Sequence, residues 1–210
     1  MKTRDRIVLT ARQVFNRDGY GAVTTASLAE ACGIAECNLW YHFKTKRDLL
    51  GAIAEEFAER VKARLALRPS PDDPLGSYCV MLGALMQELR DYRFLYRDQQ
   101  HYGEHVEPIA SNVASWLVQT TDRIEAHLRS LVEARLLDWP AGRLHDLAVN
   151  ATIIMRYGLE HYTELGQPQG GVRKTLLQQL SLFEDRLDAD AAAEIRTEVD
   201  RIGEEMRAAA

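Results

Sequence analysis

Residues 36–46 of the chain, ECNLWYHFKTK, combine hydrogen-bonding side chains with two lysines. An asparagine can pair with the edge of an adenine base, and a carboxylate can accept a hydrogen bond from the amino group of cytosine. Ammonium groups and the free amides of a helix start both favour phosphate. The segment therefore predicts recognition of double-stranded DNA. The candidate contact residues are Thr25, Glu36, Cys37, Asn38, Trp40, Tyr41, His42, Lys44 and Lys46.

Five of these residues are expected at the phosphate backbone. Thr25 lies at a predicted helix start, and Lys44 and Lys46 carry ammonium groups, so all three are expected to bind phosphate. Trp40 and His42 can also reach the backbone through the N–H donors of their rings.

The other candidates are expected near the bases. Asn38 can pair with adenine, and Tyr41 can touch a base edge or a thymine methyl group. Glu36 has two equally weighted interpretations: a partner for cytosine, or a carboxylate stabilised at a helix start by the helix dipole. Cys37 is interpreted as a small packing residue, and a redox switch is the alternative.

Two short helices separated by Gly33 must position these side chains. Thr24 is a good N-cap for a helix whose apolar stripe begins at Leu28. The Glu or Gln that would complete a capping box is absent, because Ser27 or Leu28 stands in its place. Gly33 suits the left-handed residue that ends a helix. This order predicts a helix-turn-helix.

Helices are also predicted on both sides of this pair. Residues 3–17 repeat apolar side chains at helical spacing and end at Asp18-Gly19. Thr45, followed three residues later by Asp48, is typical of a capping box that begins a connecting helix over about 46–67.

The same residues carry a family resemblance over roughly residues 5–53. The chain resembles the N-terminal domain of the tetracycline-repressor (TetR) family in the stretch Phe15…Gly19-Tyr20…Thr24-Thr25…Leu28-Ala29…Gly33-Ile34…Leu39-Trp40-Tyr41-His42-Phe43-Lys44-Thr45-Lys46…Leu49-Leu50. The resemblance implies a DNA-binding transcriptional regulator whose remaining helices bind a ligand and dimerise. The chain departs from the family at Ala35, where Ser or Thr is usual, and at Cys37, where Gly or Ala is common. The operator sequence of a relative therefore does not transfer.

Composition limits the other classes of function. Hydrophobic residues make up 46% and charged residues 27% of the 210 residues, as in ordinary globular proteins. No apolar run approaches the ~20 residues of a membrane span, and no signal peptide is expected. Three cysteines without zinc-type spacing favour a reducing cytoplasm. No phosphate loop, nucleophile elbow or Ser-His-Asp grouping is present in the sequence, so neither an enzyme nor a cofactor is expected.

The charge is unevenly distributed along the chain. The total is −5, but residues 1–50 hold eight Lys or Arg against five Asp or Glu, a net of +3. The remaining residues hold eighteen against twenty-six, a net of −8. This places the positive potential in the segment that is expected to meet phosphate.

The second part of the chain is predicted to be entirely helical. The prolines of residues 68–74 end the connecting helix. Apolar spacing then predicts further helices, and no β alternation occurs. These helices are placed at 75–90, 92–102, 108–137, 141–164, 172–187 and 195–206. The fold class is therefore all-α with about nine or ten helices. Residues 1–50 form a three-helix DNA-binding domain, and residues 51–210 form a ligand-binding and dimerisation domain.

Two kinds of partner besides DNA are expected for this second domain. A two-fold dimer would place two recognition helices about 34–36 Å apart, which matches successive major grooves. The candidate interface is 141–164 with 172–187, and the alternative is that their apolar stripes complete a monomeric core. The pocket for a small, largely apolar effector is assigned to Met81, Leu85, Trp116, Met155 and Tyr157, and the alternative for each is ordinary core packing.

The resulting hypothesis is a homodimeric repressor that binds a palindromic operator and is released by its effector. A metal-responsive regulator is the alternative, because His101 and His105 have helical i, i+4 spacing with Glu104 between them. Gly103 and Pro108 favour a turn at this place. A redox-responsive regulator that uses Cys37 is the other alternative.

Overall fold

The computed structural model describes residues 2–98 and 109–208. Within these ranges the chain has ten α-helices and no β-strand, with only an isolated bridge between Leu137 and Leu187. The helices are α1 (Thr3–Asp18), α2 (Thr25–Ala31), α3 (Glu36–His42), α4 (Lys46–Leu65), α5 (Pro74–Asp91), α6 (Arg93–Arg97), α7 (Ile109–Glu133), α8 (Leu144–Glu164), α9 (Gly171–Leu180) and α10 (Ala189–Ala208). The all-α prediction is confirmed.

Helix α9 is shorter than the predicted helix over 172–187, which is wrong at its C-terminal end. The chain leaves the helix after Leu180 through turns, and only Glu184–Arg186 forms a further 3-10 turn. The backbone of this stretch bonds elsewhere: the Asp138 N–H donates to Arg186 O at 2.9 Å, and the Asp188 N–H donates to Leu136 O at 2.9 Å. Phe183 is nevertheless fully buried. Its apolar spacing therefore reflects a packed turn rather than a continued helix.

Two other predicted boundaries also move. Helix α7 ends at Glu133 instead of residue 137, because Arg135 adopts a positive φ of 62° that interrupts the helix. Residues 141–143 form a 3-10 turn before α8 begins at Leu144. Of the helix predicted over 92–102, α6 covers Arg93–Arg97, and the residues after Asp98 lie outside the described ranges.

The described chain packs into two compact units. One contains the described parts of Met1–Lys62 and Asp91–Ala114, and the other contains Ala63–Arg90 with Ser115–Ala210. The division falls inside α4 rather than at residue 50, and α6 belongs to the first unit. No described helix has the length and apolar character needed to cross a membrane.

The second unit is built around close helix packing. Helix α9 lies against both α8 and α10. At Gly158 of α8, an added Cβ would lie only 2.9 Å from the Cβ of Thr175 on α9, and Thr175 is fully buried. Glycine thus allows these two backbones to approach closely. Also in this unit, Arg64 and Glu88 form an ion pair at 2.7 Å, with side chains 4% and 3% exposed.

Candidate nucleic-acid interface

Helix α2 begins with a complete capping box, although the sequence pattern excludes one. The Ser27 N–H donates to Thr24 Oγ1 at 3.1 Å, and the Thr24 N–H donates to Ser27 Oγ at 3.1 Å. That exclusion was wrong, because the Ser27 hydroxyl is short enough to return the hydrogen bond that a Glu or Gln usually makes. The start of α2 is fixed from both sides.

The turn between α2 and α3 has the predicted glycine geometry. Gly33 adopts φ 64°, in the left-handed region. Its N–H donates to Glu30 O at 2.9 Å, and the next N–H, of Ile34, donates to Ala29 O at 3.0 Å. These bonds satisfy carbonyls that the end of α2 leaves free. Ala35 precedes α3 as its N-cap residue and provides no side-chain hydrogen bond.

Helix α3 presents most of its side chains to solvent. Only Leu39 is buried among its residues, and Phe43 is buried directly after it. The four residues predicted near the bases, Glu36, Cys37, Asn38 and Tyr41, are all exposed, with Tyr41 85% exposed. Trp40, which is predicted at the phosphate backbone, is 38% exposed. An exposed, hydrogen-bonding helix anchored by two apolar residues is the geometry that major-groove recognition requires.

Glu36 connects the two helices of the motif. Its Oε1 accepts a hydrogen bond of 2.8 Å from the Thr25 hydroxyl. This contact favours the structural interpretation of Glu36, and it holds the first turn of α2 against the first turn of α3. The amides at the start of α2 are still oriented for an anion.

Lys46 and Lys44 have different surroundings. The Lys46 ammonium donates to the carbonyl oxygens of Tyr20 and Val23, and it lies 4.2 Å from the ring centroid of Tyr20. Burial lowers the pKa of Lys46. Lys44 is exposed. The phosphate contact of Lys44 stays a prediction, and its ammonium has a free approach to a phosphate. The phosphate contact predicted for Lys46 would require its ammonium to leave the two carbonyl oxygens.

The C-terminal end of α1 is held by residues 91–98, which run from the last residue of α5 through α6. The Asn16 side chain donates to Asp91 O at 2.8 Å and accepts from the Phe94 N–H at 3.0 Å. Arg97 donates to Phe15 O and Asn16 O, each at 3.1 Å. The Tyr20 N–H donates to Asp98 Oδ2 at 2.8 Å. Segment 91–98 therefore fixes both the end of α1 and the turn that Lys46 binds.

A cationic helix start also belongs to this unit, and its residues are not among the predicted DNA contacts. The Arg4 guanidinium lies over the Phe43 ring, 4.9 Å from its centroid, so the beginning of α1 adjoins the end of α3. Lys2, Arg4 and Arg6 are all exposed. Their alternation in the first six residues was the available signal, because three cations at a helix start lack a local structural explanation.

The residues predicted to line the effector pocket differ in how far their side chains are buried. Met81, Leu85 and Met155 are 0%, 4% and 1% exposed, and Trp116 is half-buried. Tyr157 is 59% exposed, so in a single chain it faces solvent.

A cleft of about 580 Å³ lies in the first unit, and arginines and glutamates line it in equal number. Those residues are Arg4, Arg12, Arg60, Glu55, Glu56 and Glu59, and Ala52 and Tyr92 complete the lining.

The metal-site candidates His101, Glu104 and His105 lie outside the described residues. Within the described ranges, no group of three or more His, Cys, Asp or Glu side chains is placed to hold a metal ion.

Two family models match this chain. One, described as "Bacterial regulatory proteins, tetR family", matches residues 7–53, and the other, described as "Bacterial transcriptional repressor", matches residues 56–195. The chain belongs to the TetR family. As a TetR-family protein it is a DNA-binding transcriptional regulator rather than an enzyme.

Individual relatives of this TetR-family chain agree with the assignment. HTH-type transcriptional regulator QacR of Staphylococcus aureus is 39% identical over 49 residues, 23% of this chain and 26% of QacR. The match thus spans about a quarter of that relative's length. Tetracycline repressor protein class A from transposon 1721 of Escherichia coli is 28% identical over 179 residues, 84% of this chain and 74% of the relative.

Solved structures share the fold of this TetR-family chain. A TetR-family transcriptional regulator from Marinobacter aquaeolei VT8 aligns with a TM-score of 0.72 at 22% identity, covering 96% of this chain and 99% of that one. A gamma-butyrolactone receptor (ArpA-like protein) aligns with a TM-score of 0.65 at 19% identity, covering 97% of each chain. The two alignments establish a common architecture.

Proposed function

We propose that the protein is a homodimeric repressor that binds a near-palindromic operator in the cytoplasm and is released by a small-molecule effector. The observation that carries the proposal is the exposed α3, which Leu39 and Phe43 anchor and which the Thr25–Glu36 hydrogen bond holds against α2. A recognition helix that is fixed before binding loses little conformational freedom on the DNA.

The proposed contacts divide into positioning and base-reading groups. Lys44 and the start of α2 at Thr25 bind phosphate, while Asn38 and Tyr41 reach base edges. Trp40 and His42 contact the backbone through their ring N–H groups. Cys37 lies among these exposed residues and packs against the groove wall.

Selection of duplexes from a fragmented genomic pool tests this function. The full-length protein should retain one family of near-palindromic sequences, and Asn38→Ala should relax the preference at one base position in each half-site. Gln13→Ala, on the exposed part of α1, serves as the matched control. Retention of DNA without any sequence preference would contradict the proposal.

The proposed dimer face lies on α7 and α8. Ile153 and Tyr157, one helical turn apart on α8, are 52% and 59% exposed, and Leu117 and Val118 on α7 are 38% and 61% exposed. Thr121 and Thr152 are hydrogen-bonded at 3.2 Å, so the two helices adjoin at this level. Exposed apolar side chains on neighbouring helices are typical of an interface between subunits.

The predicted interface comprised 141–164 and 172–187. Of these two segments, we propose mainly 141–164 as the one that contacts the partner subunit. Within α9, Leu176 and Leu180 are buried in their own chain, with 0% and 1% exposed. These side chains already complete the packing against α8 and α10, so α7 supplies more free apolar surface than α9.

The effector acts through its differential affinity for two conformations. A ligand that binds the DNA-incompetent conformation a hundredfold more tightly shifts the equilibrium by ~2.7 kcal/mol. The second unit, which contains Met81, Leu85, Trp116 and Met155, is the proposed place of binding. Release of the selected operator on addition of a cell extract, followed by fractionation, is the measurement that identifies the effector.

A further inference from the structure

Polar side chains are buried in the core of the second unit, at positions where most helical cores have apolar side chains. Tyr78 of α5 and His127 of α7 are both 0% exposed, and their ring centroids lie 6.2 Å apart. Gln179 of α9 is 1% exposed and donates from Nε2 to the Tyr78 hydroxyl at 2.7 Å. Arg123, a half-buried residue, lies one turn before His127 on α7. We call Tyr78, Arg123 and His127 the buried polar cluster.

The cluster has unused hydrogen-bonding capacity. Both ring nitrogens of His127 and the Nε of Arg123 are buried without a hydrogen-bond partner among the described residues. The Tyr78 hydroxyl accepts from Gln179 and donates to no described group. Three donors of the cluster (Tyr78 O–H, Arg123 Nε–H and one His127 N–H) lack an acceptor at normal hydrogen-bond geometry, and the second His127 nitrogen is an acceptor without a donor. The complementary ligand group is therefore an acceptor.

Electrostatics in the cluster also favour a negative acceptor. Burial, followed by the charge of Arg123, lowers the pKa of His127 to about 4, and Arg68 acts in the same direction. The backbone of Leu67 opposes this shift without making a hydrogen bond of normal geometry. Near neutral pH the imidazole is thus uncharged and the guanidinium is cationic, and no carboxylate contributes to the shift of His127.

Apolar side chains surround the polar groups. The Phe183 ring lies 6.4 Å from the Tyr78 ring, and Ile124, Leu128 and Leu131 of α7 are 0% exposed. Unpaired polar groups buried among such neighbours destabilise the free protein. Sites that bind ligands commonly accept such a cost in stability.

We propose that the buried polar cluster is the subsite that receives the polar end of the effector, and that the effector is an apolar molecule with a carboxylate group. The inference rests on the proposed function and deepens it, because it specifies that the largely apolar effector also carries a charged group and is therefore amphipathic. The carboxylate oxygens accept from Tyr78, Arg123 and His127, while the apolar part lies among the surrounding side chains.

Matched pairs of probes test the subsite on the full-length protein. Octanoate and decanoate are compared with octanol and decanol by titration calorimetry. We expect the carboxylates to bind at least about tenfold more tightly than the alcohols of equal length. His127→Leu should remove this preference. Arg129→Leu, an exposed cation on the same helix, should keep it.

Nuclear magnetic resonance of the His127 ring gives a second readout that a purely structural role would not change. Decanoate should raise the pKa of His127 from about 4, because a bound anion stabilises imidazolium, whereas decanol should not. Arg123→Met provides a second variant in case His127→Leu fails to fold, which thermal melting will show. Equal binding of carboxylates and alcohols would overturn the proposal, and so would a preference that survives both substitutions.

Operator binding measured on the same samples separates this proposal from the proposed function. If carboxylate preference depends on His127 but no specific duplex is retained, the subsite stands and the repressor function fails. If a specific operator is retained but carboxylates show no preference, the subsite fails and the repressor function stands.

Discussion

The ammonium groups of Lys44 and Lys46 are close in sequence but differ in their partners. Lys44 is exposed, whereas Lys46 donates to Tyr20 O and Val23 O in the turn before α2. A phosphate contact releases counterions, so its loss changes the salt dependence of DNA binding. Loss of an internal contact changes stability instead. The two lysines can therefore be distinguished by one pair of substitutions.

Lys44→Ala should weaken operator binding for all sequences and reduce the slope of log affinity against log salt by about one unit. Lys46→Ala should lower the melting temperature and weaken binding, with the slope unchanged. Fluorescence anisotropy over a salt series measures both. Lys62→Ala, exposed on α4, is the control. A lowered slope for Lys46→Ala would show that its ammonium leaves the turn to reach phosphate.

His127 predicts a specific pH dependence of stability. Its pKa is lowered from 6.5 to about 4 in the folded protein, so between these values only the unfolded chain binds the proton. The free energy of unfolding should fall as the pH falls through this window, by up to about 1.4 kcal/mol per pH unit. Denaturation of wild type and His127→Leu at several pH values measures it. The difference between the two proteins should become constant from about one pH unit above 6.5, where neither state binds the proton.

At the scale of helices, the contact between α8 and α9 depends on Gly158. Gly158→Ala should lower the free energy of unfolding by about 1–3 kcal/mol, because the new methyl group overlaps buried Thr175. Gly51→Ala is the matched control in α4, where an added Cβ meets nothing within 4 Å. That substitution should stabilise the protein by up to about 1 kcal/mol. Chemical denaturation measures both, and equal effects would contradict the packing described for Gly158.

Helices that the sequence predicts well are those whose signals are local. Gly33 and Thr45 mark an end and a start, and both signals are confirmed: Gly33 has φ 64°, and Thr45 Oγ1 accepts from the Asp48 N–H at 3.0 Å. The end of α9 was missed because Phe183 continues the apolar spacing from a turn. The backbone partners of the segment after α9, at 136–138, are about fifty residues away along the chain, and periodicity contains no information about them.

In the candidate DNA interface, too, only features with local sequence signals could be predicted. The exposed face of α3 could be predicted because Leu39 and Phe43 alone give it a buried side. The Lys46 contact could not, since it requires the turn at residues 20–23 to fold back on the start of α4. Residue type alone indicated a cation, and cations bind carbonyl oxygens as well as phosphates.

At the scale of the whole molecule, the oligomeric state follows from the exposed face on α7 and α8. The double variant Ile153→Lys/Tyr157→Lys should shift the protein from dimer to monomer, because four lysines would meet across a two-fold interface. Sedimentation equilibrium measures the change, and operator affinity should fall with it as the two half-sites lose their linkage. Val80→Lys is the control, because Val80 of α5 is 59% exposed, the same fraction as Tyr157. A double variant that remains dimeric would place the interface elsewhere.

The attachment of segment 91–98 to the end of α1 has a consequence for protein engineering. Chimeric regulators are designed by joining the operator specificity of one protein to the sensing part of another. In this chain a junction placed at residue 53 or 62 would separate Asn16 and Tyr20 from Asp91, Phe94 and Asp98. The exchanged module must therefore carry two pieces of sequence, residues 2–62 together with 91–98, or a recipient whose own segment reproduces these hydrogen bonds.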